Sequence, residues 1–95
     1  MKKFILLAHG QMEHTPEFRE AHMKWWASVQ PHVVDSGNPL ANGRDVSRDG
    51  SVAAVTDPAI MALGYSIIEA ESEDFVTGLL VECPMDMWVY EALPM

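Results

Sequence analysis

The chain carries three strand-length segments with apolar residues on both faces, yet its helical patterning supplies only two helices. Phe4-Ile5-Leu6-Leu7-Ala8 is a continuous apolar run, the pattern of a central strand buried on both sides. In Gly64 to Glu71, Tyr65, Ile67 and Glu69 share one face and Ser66, Ile68 and Ala70 the other. In Met87 to Leu93, Trp88 and Tyr90 face one way, and Met87, Val89 and Leu93 the other. Two helices cover one face of a sheet. The second face is then an exposed apolar patch, which marks an interaction site. Self-association is the economical answer, so the sequence predicts a homodimer.

The helices have clear starts. Thr15 is placed as an N-cap, Pro16 suits the first helical position, and Glu17 favours the positive end of the helix dipole. Phe18, His22, Trp25, Trp26, Val29 and Val33 then fall on one stripe at about 100° per residue. The spacing predicts one helix from Pro16 to about Ser36, kinked at Pro31 and stopped by Gly37. Ser72 caps a second, short helix with Glu73 and Asp74 in its first turn. Phe75, Val76, Leu79 and Leu80 form its buried stripe, and Pro84 ends it. Residues 37–43 are a loop on composition. Asp49-Gly50, between Arg44–Arg48 and Ser51–Val55, signals a hairpin. Asp57-Pro58 suggests a turn.

The resulting order is β-α-β-β-β-α-β. It predicts an α+β fold with a ferredoxin-like sheet, two helices on one face and an extra central hairpin. At 95 residues this is a single domain, 1–95. A chain this short buries roughly two-thirds of its unfolded surface, so a lone monomer would be modestly stable.

Composition removes several function classes. Fourteen acidic residues against six basic ones give a net charge of -8. Such a surface repels phosphate backbones and anionic membranes, so neither nucleic acid nor membrane is an expected partner. The run from Met1 to Ala8 is too short for a signal-peptide core and reads as a strand. The lone cysteine, Cys83, allows no intrachain disulfide and fits a reducing cytoplasm. It has no nearby base in sequence and reads as an inert buried thiol. There is no Gly-rich phosphate loop and no nucleophile elbow.

The candidate chemistry centres on His22, which sits in the apolar stripe among Phe18, Trp25 and Trp26. A histidine is able to act as acid or base near neutral pH. The competing reading is a core histidine with one satisfied hydrogen bond. His9 ends the first strand, where binding groups often lie. Asp35, near the expected end of the first helix, is able to orient a histidine or act as a base. It is otherwise a solvated carboxylate, poorly placed against the dipole. Trp26 and Tyr65 are candidates to line a flat, ligand-binding pocket between helix and sheet. His9, His14 and His22 are spaced in no compact ligand pattern, so no metal is expected.

Together, several segments resemble the YCII-related family. They are Leu63-Gly64-Tyr65-Ser66-Ile67-Ile68-Glu69-Ala70, Glu82-Cys83-Pro84 and Val89-Tyr90-Glu91-Ala92-Leu93-Pro94. Lys3-Phe4-Ile5-Leu6-Leu7, the helix with Lys24-Trp25-Trp26, and Val34 to Leu40 extend the resemblance over nearly the whole chain. The Asp-Gly-Pro-Phe loop of one branch is not matched; Thr56 to Ala62 stand there. The resemblance implies a dimeric α/β barrel in which two ferredoxin-like sheets pack face to face. It implies no defined activity for the family as a whole. In some members a His-Asp pair is the candidate active site, and His22 and Asp35 are the best-matching positions.

Two functions follow as expectations. One is a small-molecule-binding or acid/base enzymatic homodimer, with a pocket between sheet and first helix and no cofactor. The other is a non-catalytic dimeric interaction or accessory module. An open pocket at His22 favours the first; a tightly packed His22 with no cavity favours the second.

Overall fold

A computed structural model describes residues 1–95. Strand β1 (Lys2–His9) is the centre of a four-stranded antiparallel sheet. It pairs with β5 (Gly64–Ala70) on one side and β6 (Asp86–Ala92) on the other. Strand β2 (Val33–Asp35) adds to the far edge of β5, giving the order β2-β5-β1-β6. Helix α1 (Pro16–Val29) joins β1 to β2, and α2 (Glu73–Leu79) joins β5 to β6. This is the ferredoxin-like strand order. A separate hairpin, β3 (Arg44–Val46) and β4 (Val52–Ala54), is inserted between β2 and β5 and turns at Asp49-Gly50.

Both helix starts form as their residues dictate. The Thr15 hydroxyl accepts from the Phe18 N–H at 3.0 Å, and the Ser72 hydroxyl from the Phe75 N–H at 3.2 Å. The end of the first helix differs from expectation. It closes at Val29, Gln30–His32 form a 3-10 turn, and Val33–Asp35 are a strand. Pro31 offers no N–H to a continuing helix, and Val33-Val34 are β-branched residues that suit a strand edge. Gly37 is therefore no helix stop. Its φ of 76° lies in the left-handed region, and a Cβ there would collide with the Tyr65 carbonyl. It lets the chain leaving β2 press against β5.

The core lies between the sheet and the helices. Phe4, Leu6, Ile68 and Ala70 from the sheet meet Trp25 and Val29 of α1 and Val76 of α2. Fully burying each large side chain contributes about 1.5–3 kcal/mol. Trp25 also crosses between helices: its Nε1–H donates to the Leu79 carbonyl at 2.8 Å. That carbonyl belongs to the last turn of α2, where carbonyls lack helical partners.

The opposite sheet face has no such cover. Strand alternation and register put Ile5, Leu7, Ile67, Trp88 and Tyr90 there. The molecule is only 19 Å thick against 43 × 39 Å in its other dimensions. Its accessible surface is 7008 Å², against about 5,500 Å² for a compact monomer of this mass. The β3–β4 hairpin, whose strands are exposed throughout, and the uncovered face both contribute to the excess.

Trp25→Phe is expected to destabilise the chain by about 1–3 kcal/mol, through a lost hydrogen bond, an orphaned Leu79 carbonyl and a small cavity. Urea unfolding measures this; an unchanged midpoint would show that the indole does not tie the two helices together.

Candidate functional site

A pocket of about 410 Å³ opens between α1 and the helix-facing side of the sheet. Leu6 and Ala8 of β1, Ser66 of β5 and Met87 of β6 form its floor, and His22, Trp25 and Trp26 of α1 form one wall. Met12, Met85 and the segment Ser36-Gly37-Asn38-Pro39 close its sides. That segment is held by local geometry. Asp35 Oδ1 accepts from the Gly37 N–H at 2.8 Å, and the Asn38 carbonyl accepts from the Tyr65 N–H at 3.2 Å.

His22 is half-buried. Its ring lies between Phe18 and Trp25, with centroids 6.1 Å and 5.8 Å away. None of the side-chain hydrogen bonds of the chain involves it. The imidazole therefore has both nitrogens free for a visiting group, unlike a core histidine locked by a partner. Trp26 is half-buried beside it, 6.0 Å from Trp25.

The other sequence candidates lie elsewhere. Asp35 pairs in register with Ile67, on the uncovered sheet face. Its Oδ2 accepts from the Tyr65 hydroxyl at 3.4 Å, a long bond in an exposed setting. Asp35 does not meet His22. Tyr65 lines the pocket by its place on β5, while alternation sends its phenol to the Asp35 side. His9 shares that side and stacks on Trp88, with centroids 4.0 Å apart and planes at 12°. The structure thus brings His22 and Trp26 together, and separately gathers Asp35, Tyr65 and His9 on the far face. For Asp35 the split follows from the shorter helix, since ending α1 at Val29 puts it on a strand; Tyr65 and His9 face away by strand alternation. No three His, Cys, Asp or Glu side chains form a group able to hold a metal.

Sequence reasoning missed Ser66, the pocket methionines and the Ser36–Pro39 segment. Ser66 had a signal, since it is a polar residue on the inward face of an apolar strand. The methionines come from separate parts of the chain and carry none.

No family model matches the chain, and no curated protein matches it by sequence. Among solved structures it is similar to 5-chloro-2-hydroxyhydroquinone dehydrochlorinase (TftG) from Burkholderia phenoliruptrix, in complex with 2,5-dihydroxybenzoquinone. Identity is 17%, with 95% of this chain and 91% of that chain covered and a TM-score of 0.47. A likeness at that level assigns neither activity nor ligand here. What the fold and pocket define is a class: a ferredoxin-like α+β domain with a helix–sheet cleft. No helix is long and apolar enough to cross a membrane.

Cys83 is half-buried next to the core rather than in the pocket. Burial pushes its thiol up from the ordinary range, the Asp86 carboxylate adds to this, and the Met85 backbone partly opposes it. The fold thus favours the neutral thiol; its contribution to stability is present below the unfolded thiol's range and is lost as pH rises through the folded value. Alkylation by iodoacetamide at mildly alkaline pH is expected to be slower in the folded protein than in urea. Equal or faster reaction when folded would mark Cys83 as an activated nucleophile.

Proposed function

We propose that this chain is a small-molecule-binding homodimer of the YCII-related type, in which His22 acts as acid or base toward a small organic ligand held between α1 and the sheet. One observation carries the reading: a half-buried imidazole without an intrachain hydrogen bond faces a pocket of about 410 Å³. That volume lies within the range of small-molecule sites, and the lining is mostly apolar with a few polar groups, as such sites require. A module built only for dimerisation has no need of a cleft on its helix-covered side.

The homodimer buries the uncovered sheet face. Ile5, Leu7, Ile67, Trp88 and Tyr90 give that face the contiguous apolar and aromatic surface that an interface core takes. His9, Asp35 and Tyr65 belong to this interface. The YCII-like segments support the same reading, since Gly64–Ala70 is β5, Cys83-Pro84 follows α2, and Val89–Ala92 lies in β6. A free thiol without a disulfide partner suits a reducing cytoplasm.

Ligand-observed NMR with a set of single-ring fragments tests the pocket. Fragments are expected to bind the native protein, and His22→Ala is expected to weaken them about tenfold, the worth of one good hydrogen bond in a dry site, with the melting temperature nearly unchanged. A structural histidine would behave oppositely: loss of stability on the order of 1–3 kcal/mol with binding unaltered would overturn this function.

A further inference from the structure

Ser66 is the one polar residue among the nine that are buried, at 6% exposure. It lies on β5 directly opposite Leu6, in the floor of the pocket. Its hydroxyl takes no part in any side-chain hydrogen bond of the chain. No side-chain nitrogen or oxygen is both fully buried and unpartnered. The Ser66 hydroxyl therefore reaches the open space of the pocket. A hydroxyl that opens into the pocket with no partner inside the chain is free to pair with a bound group.

Charge gives a second, independent observation. The chain has six Lys and Arg and fourteen Asp and Glu, yet none of these residues lines the pocket. His22 is the only histidine among the lining residues. A ligand carboxylate or phosphate entering the pocket would be desolvated with no fixed cation to meet it, and an ammonium with no carboxylate. The walls suit a flat ring instead. Trp26 offers an indole, and Met85 and Met87 offer polarisable thioethers that contact ring edges well.

We propose that Ser66 is a ligand-binding residue, and that with His22 it holds the polar group of an uncharged aromatic molecule. The inference rests on the pocket reading above and adds to it the class of ligand and the residue on the floor. No proton or electron transfer is part of it. Ser66 donates or accepts one hydrogen bond, and the ring fills the space between Trp26 and the methionines.

The test uses three probes of similar shape, phenol, toluene and benzoate, titrated into the native protein and Ser66→Ala, with the tryptophan indole N–H signals followed by NMR. In the native protein phenol is expected to bind more tightly than both of the others. In Ser66→Ala its affinity is expected to fall about tenfold, toward that of toluene. The melting temperature of the variant is expected to be unchanged or higher. Benzoate binding as tightly as phenol would overturn the assignment of an uncharged ligand. An unchanged preference for phenol over toluene in Ser66→Ala would overturn the role of Ser66, and so would a lower melting temperature with that preference intact. Binding of all three with equal affinity would leave the pocket standing and sink this proposal alone. Binding of none would sink the pocket reading and this proposal with it.

Discussion

A sheet with two apolar faces and helices for only one of them governs this molecule. β1 is paired on both edges, so its side chains must find cover above and below the sheet rather than beside it. On one side α1 and α2 supply that cover, and Phe4, Leu6, Ile68 and Ala70 disappear beneath Trp25, Val29 and Val76. On the other side Ile5, Leu7, Ile67 and Trp88 stay half-exposed and Tyr90 is 60% exposed. The two faces therefore have different work available to them.

The covered face is not filled evenly. Trp25 ties α1 to the last turn of α2 and closes the core around Val29 and Val76. Beside Trp25 the contact opens into the cleft, which His22 and Trp26 line together with Trp25, Trp26 also packing against the core. Gly37 holds the outer side of the same cleft, because only a residue without a side chain lets the segment after β2 lie against the β5 backbone. One helix thus provides both the anchor at Trp25 and a wall of the cleft.

Much of the fold was legible in the sequence. The β1 run, the Thr15-Pro16 and Ser72 helix starts, the Asp49-Gly50 hairpin and the alternation of β5 and β6 all carry local signals that tertiary packing leaves intact. The end of α1 did not carry one. Val33 continues the apolar stripe at helical spacing, and the same residue also serves as a strand position packed on the core; the pairing with β5 decides between them. That ambiguity spread to the site. His22 and Trp26, fixed by helical periodicity, were legible as pocket residues. Asp35, read as a helix-end carboxylate, lies on the opposite face, because a residue's face cannot be known until its element is; His9 lies there by the alternation of β1. Ser66 was visible as a polar residue on the inward side of its strand, but its meaning depends on the cleft above it.

The central claim is that the uncovered face belongs to a second copy while the covered face holds the ligand cleft. Sedimentation equilibrium on the native chain and on Ile67→Lys, a substitution at the middle of the uncovered face, tests it most directly. The native chain is predicted to sediment at twice its mass of 10.6 kDa, and the variant as a folded monomer that retains its helix-side cleft. A native chain that stays at the single-chain mass, independent of concentration, would contradict the account.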